Sequence, residues 1–416
     1  MVYVPRLVDS QLDQWLGSAP VIAITGAKGV GKTTTMSQRA AHTLALDQPA
    51  ERRLTEANPA VIRTLPTPLL IDEWQRVPPV LEAVHRAMNR SRSPGQFLLT
   101  GSTRPETAAR LPRRGVTVRM RPLSLPERGL ETPTVSLARL LAGPRAPIRG
   151  QTAFGGPDYA AEIVASGLPG IRLADESVRR EGLSSYLTEI VDRDLPGLGA
   201  DVRRPRALLA WLAAYAAATA TTASYTTIFD TMTGEGAPLA RHTADGYRAL
   251  LERLWVLDPL PAWTPTATLP RLTTAPKHHL VDPGLAAAAL HATVDSLLAG
   301  HGTTPGAAGL LGALFESLAT QTVRVLATAA HCTVTHLRTP GATHEINLII
   351  ERGDHRVVAM AVKLAATVPP VAARHLHWLG DQIGDSLVDK VILTAGPSAY
   401  RDPRGVAVVP LALLGP

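Results

Sequence analysis

Val21-Ile22-Ala23-Ile24-Thr25-Gly26-Ala27-Lys28-Gly29-Val30-Gly31-Lys32-Thr33-Thr34 is the stretch whose reading decides the fold. A short, continuous apolar run of this kind is what a strand buried on both faces requires. It runs into G-x-x-x-x-G-K-T, with a helix expected from Lys32, so the motif stands between a strand and a helix, as phosphate binding demands. Glycines at 26, 29 and 31 allow a tight loop whose N–H groups face inward on phosphate oxygens, and the helix start adds a favourable dipole. The expected nucleotide contacts are therefore Gly26, Ala27, Lys28, Gly29, Val30, Gly31, Lys32, Thr33 and Thr34. Lys32 would bridge the β- and γ-phosphates of ATP, and the Thr33 hydroxyl would hold Mg²⁺.

Working outward, the pattern predicts a helix over 9–17, strands over 21–24, 44–47, 69–71, 97–100 and 116–120, and a helix over 79–89. Alternation of strands and helices implies a doubly wound α/β parallel sheet. Leu69-Leu70-Ile71-Asp72-Glu73 ends a buried strand in two acids, which the phosphate loop makes meaningful. Asp72 would hold Mg²⁺, and Glu73 would orient and deprotonate the attacking water. Thr100 and Ser102, at the end of the 97–100 strand, are candidates to sense the γ-phosphate or hold the water. Arg104, Arg113, Arg114 and Arg119 could reach the γ-phosphate of a neighbouring copy, which would make the protein a homo-oligomer; a solvated basic surface is the competing reading of each.

The chain has 416 residues, 45% hydrophobic and 19% charged, and carries a formal charge of +7. That length suggests several domains, each able to bury a core. Residues 101–150 alone contain ten Arg against three Glu, a net of +7, so an anionic partner such as nucleic acid is expected. A single cysteine, Cys332, rules out an internal disulfide, and the N-terminal residues lack a signal-peptide layout. Cytoplasmic location and no membrane span are the expectation. The Pro/Gly/Thr-rich stretch 131–158 marks a linker ending the first domain, and 177–194 has the spacing of an amphipathic helix. Helix, short helix, turn through Gly234 and Gly236, helix over 241–254 and extended 255–257 suit a winged helix, with 259–276 as wing and 279–281 as return strand. Its groove-reading side chains would be Arg241, His242, Tyr247 and Arg248. A break over 301–306 precedes a helix over 310–327 and strands over 333–337, 345–350, 357–363 and 391–394. The close histidine pairs, His278-His279 and His375 with His377, lack zinc-site spacing.

Gly26 to Thr33, Ile71-Asp72-Glu73-Trp74-Gln75, Leu99-Thr100-Gly101-Ser102 and Arg121-Pro122-Leu123-Ser124-Leu125-Pro126-Glu127 together resemble the AAA-type ATPases of bacteria and archaea that carry a C-terminal domain of unknown function. The likeness continues through Gly167-Leu168-Pro169, Asp192-Arg193-Asp194 and Asp282-Pro283-Gly284-Leu285, and ends near Lys363. It implies an ATPase core over 1–150, a helical lid over 151–200, a winged helix over 201–300 and a domain over 305–416 similar to PD-(D/E)xK nucleases. In that domain Glu316 matches the helix acid and Lys363 the lysine, but Asn347 stands at the aspartate position and Ala361 at the acid before the lysine. Asn binds a divalent cation weakly and Ala not at all, so cleavage would need Glu345 or Glu351 as substitutes. The resemblance does not supply a substrate; the basic stretch, the winged-helix pattern and the nuclease-like domain stripped of acids lead to the expectation of a Mg-dependent ATPase that binds DNA without cutting it, branched DNA such as a Holliday junction included, and couples hydrolysis to binding or remodelling. Lys363, Arg338, Arg352 and Arg356 would contact phosphates, alongside Arg241 and Arg248. The alternatives are a regulatory ATPase engaging a protein partner and an ATP-gated nuclease.

Overall fold

The computed structural model describes residues 3–91, 93–104, 115–144, 146–232, 240–264, 272–300 and 309–416. The chain forms two compact units. The first comprises 1–122 with 168–170 and 249–256; the second holds 123–167, 171–248 and 257–416.

In the first unit β1 (Val21–Thr25), β2 (His42–Ala45), β3 (Leu69–Asp72), β4 (Phe97–Gly101) and β5 (Val116–Arg119) make one sheet in the order β2-β3-β4-β1-β5. Every pairing in it is parallel. β1, β3 and β4 are buried along their whole length, which is why they read as unbroken apolar runs rather than alternating ones. One face is packed by the helix Pro79–Arg90 through Val80, Leu81, Val84 and Met88, spaced to share a stripe. The second strand lies two residues earlier than expected, because His42 and Thr43 pair with Leu69 and Leu70 although the apolar signal starts at Leu44.

The second unit corrects the expected domain boundaries. Residues 123–150 do not belong with the nucleotide-binding sheet. Within 131–158, β6 (Val135–Ser136) pairs with β14 (Leu414–Gly415), and β7 (Gly150–Gln151) pairs with β12 (Ser398–Arg401). Composition marked this stretch as a linker; it instead makes backbone hydrogen bonds to the C-terminal segment, including Thr134 N–H to Leu413 O at 3.0 Å, and β7 adds to the C-terminal seven-stranded sheet. That sheet contains β8 (Thr333–Arg338), β9 (Glu345–Glu351), β10 (Val357–Lys363), β11 (Leu387–Thr394) and β13 (Ala407–Pro410) in the order β7-β12-β13-β11-β10-β9-β8. β8, β9 and β10 are antiparallel neighbours, whereas β10, β11 and β13 run parallel. The helices Leu310–Ala329 and Arg374–Ile383 both pack on β9 and β10.

Helices Pro205–Ala217, Tyr225–Asp230 and Arg241–Arg253 match the order expected of the central region. Where a wing hairpin was expected, the described residues show two isolated antiparallel bridges, Leu257 to Leu280 and Leu260 to Lys277. Gly234, Gly236, residues 265–271 of the expected wing and residues 301–306 of the expected break lie outside the described residues. The 177–194 helix is an α-helix over Glu176–Glu189 that continues as a π-helix over Ile190–Asp194.

The motif Asp282-Pro283-Gly284-Leu285 proves to be an internal tie. The Asp282 carboxylate is fully buried and accepts from Gly284 N–H at 2.8 Å, Gly167 N–H at 2.8 Å and Gln321 Nε2 at 3.2 Å. In the turn 124–127, Glu127 accepts from both the N–H and the hydroxyl of Ser124, at 2.8 and 2.7 Å.

Two buried histidines should make the stability of this unit depend on pH. Burial, then Lys277 and Arg324, pushes His279 down to about 3 from an ordinary 6.5. Burial and Lys277 push His336 to about 4. Both are therefore neutral in the folded state at pH values where the unfolded chain already protonates them. Stability should be full above pH 6.5 and fall as the pH drops toward about 4, by up to about 1.4 kcal/mol per pH unit for each histidine. Urea unfolding at about pH 7.5 and about pH 5 measures this, and His279→Gln should flatten the slope; an unchanged slope would remove His279 from the account.

Candidate nucleotide site

The carboxyl ends of β1, β3 and β4 stand side by side, with Ile71 level with Leu99 and Ile24 level with Thr100. Parallel sheets present their ligand sites at this edge. Gly29 and Gly31 hold φ of +78° and +98°, and Gly26 has φ of +153°. A Cβ on Gly26 would lie 2.2 Å from the Met120 carbonyl oxygen, so only glycine fits there. The helix Lys32–Ser37 follows at once.

Lys32 is 5% exposed, and its ammonium donates to the carbonyls of Gly26 at 3.0 Å and Ala27 at 2.8 Å. Burial lowers its pKa against the opposing pull of Glu73 and Asp72. The Thr33 hydroxyl donates to Asp72 Oδ1 at 2.8 Å, and the Thr100 hydroxyl donates to the same oxygen. Burial raises the Asp72 pKa, while Thr100 and Thr33 draw it back down. Glu73 sits in the left-handed region, at φ +52°, which turns its carboxylate out of the strand line. Ser102 Oγ donates to Glu73 Oε2 at 2.6 Å, Gln75 Nε2 donates to the same oxygen, and Gln75 also reaches Ser102 Oγ at 3.1 Å.

All six expected chemistry-bearing side chains thus converge. Thr100 and Ser102, expected at the γ-phosphate or the water, hydrogen-bond the two acids instead, Thr100 to Asp72 and Ser102 to Glu73. Lys28, Thr33 and Thr34 are exposed, whereas Ala27 and Val30 are buried. Two contributors escaped the sequence reading. Arg6 donates from Nη1 to Val30 O at 2.8 Å and from Nη2 to Arg121 O at 2.7 Å, clamping the loop to the residues after β5. Gln75 holds Glu73, and a Cβ on Gly101 would lie 2.9 Å from its Oε1. Nothing about an N-terminal arginine signals the first; the proximity of Gln75 to Glu73 in sequence could have signalled the second.

The donor set around Thr33 and Asp72 is hydroxyl and carboxylate oxygen alone, the chemistry that suits Mg²⁺. Backbone N–H groups of 27–33 and the Lys32 ammonium suit the phosphates of a nucleotide. Residues 18–128 match a family model described as an AAA domain. This stretch is an AAA-type P-loop ATPase domain. Residues 156–296 and 311–414 match two further models, both domains of unknown function, DUF8612 and DUF4143. The chain is also similar to a solved structure, the Walker-type ATPase PABY2304 of Pyrococcus abyssi, at 14% identity over 69% of this chain and 96% of that one, with a TM-score of 0.40. None of the curated proteins matches. Among the described residues no helix is long and apolar enough to cross a membrane.

Among the described residues, several arginines of the arginine-rich stretch are engaged within the protein. Arg121 is buried, and the buried side chain of Arg128 pairs with Glu162 at 2.8 Å. Arg104 and Arg119 stack on the Trp255 ring of their own chain, at 4.6 and 4.1 Å from its centre. Arg113 and Arg114 lie outside the described residues. In the helix Arg241–Arg253, Arg241 pairs with Asp230 and Arg248 stacks on Tyr225, but Tyr247 is buried with its hydroxyl on Asp201 O, so it cannot read a groove.

In the C-terminal sheet the structure does bring Glu316, Asn347 and the end of β10 together. Asn347 donates to Glu316 Oε2 at 2.6 Å and accepts the Val362 N–H at 2.9 Å. Lys363 is exposed, and Arg338 lies at the same end, with Nε 3.9 Å from Glu345. Arg352 and Arg356 do not join them. They flank the turn between β9 and β10 at the opposite end, about 20 Å along the strand, where Arg352 donates to Leu141 O. Glu351 is there too, bound by Trp263 Nε1 and paired with His355. Two histidines with no sequence signal that would group them lie near Lys363: His344 stacks on Trp378, and its Nδ1 is 3.3 Å from Nδ1 of His375, which Arg374 also contacts.

Proposed function

We propose that this ATPase uses Mg²⁺, binds DNA through the Lys363 end of its C-terminal sheet without cutting it, and couples hydrolysis to that binding. Mg²⁺, when bound, neutralises phosphate charge at the scissile bond. The chain's own groups do the rest: Lys32 attracts and orients the phosphates, Thr33 and Asp72 supply the metal's oxygens, and Glu73 takes a proton from the attacking water. Thr100, Ser102 and Gln75 fix the two acids, so little reorganisation is needed when the nucleotide arrives.

The observation that carries the DNA reading is the charge at one end of β8 to β10. Lys363, Arg338 and Arg374 cluster where Asn347 and Ala361 replace acids, beside the His344–His375 pair, in which burial and then Arg374 hold His375 toward its neutral form. The position of Glu351 at the far end, and the engagement of Glu345 by Lys277 at 2.7 Å, disfavour the nuclease alternative. Binding should be tested by fluorescence anisotropy with duplex, single-stranded and four-way-junction DNA across a salt series. We expect affinity to fall steeply with salt, and Lys363→Ala to lower the logarithmic slope by about one. Binding that is absent, or indifferent to both salt and Lys363, would reject DNA and leave the protein-partner reading. ATP turnover measured with each DNA tests the coupling.

A further inference from the structure

Lys277 is one of only five lysines in the chain, and its side chain is 1% exposed. Its ammonium lies 2.7 Å from Glu316 Oε1 and 2.7 Å from Glu345 Oε1. The other oxygen of Glu316 is held by Asn347, and the other oxygen of Glu345 faces Arg338. One ammonium thus sits between two carboxylates that come from a helix and a strand of the same unit. Burying an isolated ammonium costs several kcal/mol, so the arrangement persists only because both carboxylates compensate it. Burial opposes the charge on Lys277, yet Glu316 and Glu345 outweigh it and hold its pKa above the ordinary value.

The nuclease fold that the sequence resembles would place a divalent cation at such carboxylates, and the residues here do not fit one. Carboxylates must converge on such an ion at roughly 2.0–2.6 Å, while here they converge on an ammonium. A dication entering beside it would meet a like charge in a buried setting, where repulsion is weakly screened. Among the described residues no group of three or more His, Cys, Asp or Glu side chains gathers to hold a metal.

We propose that the Lys277 ammonium is the resident cation of this cluster, standing where a divalent metal would otherwise sit between Glu316 and Glu345. The C-terminal sheet and the 257–280 segment are then joined without metal, and removing the ammonium uncovers a divalent-cation site made by Glu316, Glu345 and Asn347. The inference stands whether or not DNA is the partner.

The test uses the full chain without nucleotide, thermal unfolding, and Mn²⁺ binding followed by electron paramagnetic resonance. The melting temperature of the wild type should be the same in EDTA and in Mn²⁺. Lys277→Met, which keeps the apolar stem and removes the charge, should melt roughly 10 °C lower. Mn²⁺ should restore several degrees, and the variant should gain one bound Mn²⁺ per chain over the wild type. Lys277→Met combined with Glu316→Gln and Glu345→Gln should show neither effect. The proposal is overturned if wild-type protein already binds a nucleotide-independent Mn²⁺ that Glu316→Gln abolishes, or if Lys277→Met folds but gains no ion. Insolubility of Lys277→Met that Mn²⁺ does not relieve, beside a soluble triple variant, would overturn it as well.

Discussion

Lys32→Ala and Glu73→Gln are each expected to reduce ATP turnover by two orders of magnitude or more, the first with loss of nucleotide affinity and the second with affinity retained. Lys32 is buried against the loop carbonyls of Gly26 and Ala27, so its ammonium is already placed where phosphate charge arrives. Removing it takes away ground-state attraction and transition-state stabilisation together, and nucleotide affinity should fall with the rate. In the proposed mechanism Glu73 acts on the water side. Its carboxylate is steadied by Ser102 and Gln75 rather than by the loop, and Gln at this position keeps the hydrogen-bonding shape but accepts no proton. Loss of one such group typically costs on the order of 10²–10³ in rate. Steady-state phosphate release and equilibrium binding of a fluorescent nucleotide separate the two variants. Wild-type turnover by Glu73→Gln would remove it from the chemistry. Gln75→Ala belongs in the same series, because freeing Glu73 should change turnover while leaving affinity near the wild-type value.

Asp282→Ala is expected to destabilise the second unit by about 3–5 kcal/mol. The carboxylate is fully buried and accepts three hydrogen bonds, two from backbone N–H groups of Gly167 and Gly284. Deleting it leaves those donors and the Gln321 amide without their acceptor inside the protein, at roughly 1–3 kcal/mol for each group. No side chain of similar size can replace it from elsewhere, since the site is also tight: a Cβ on Gly284 would lie 2.8 Å from Asp282 Oδ1. Denaturant unfolding of the full chain should show the shift, with Asp282→Asn intermediate because one oxygen remains. A loss below about 1 kcal/mol would mean that water supplies the missing acceptor.

The sequence by itself marked the candidate nucleotide site. Its strand, loop and helix signals are local, and the loop's chemistry is carried by contiguous residues, so Gly26 to Thr33, Asp72 and Glu73 could be named as candidates before any packing was known. The parallel sheet was legible for the same reason, because strands buried on both faces must read as unbroken apolar runs. In the C-terminal sheet the four expected strands were visible, but β12 and β13 are short and follow turns, and gave no distinct signal. What only the tertiary structure decided is partnership across long separations. Residues 131–158 look like a linker by composition, yet their hydrogen bonds go to strands near residues 398 and 414. Arg352 and Arg356 look like companions of Lys363 in a basic stretch, and strand direction sends them to the other end. Lys277 looks like a stray lysine in a Pro-rich segment; 39 residues separate it from Glu316, and only folding sets its charge between two carboxylates. Local periodicity records how a segment is buried, whereas the identity of the group that compensates a buried charge depends on where the chain returns.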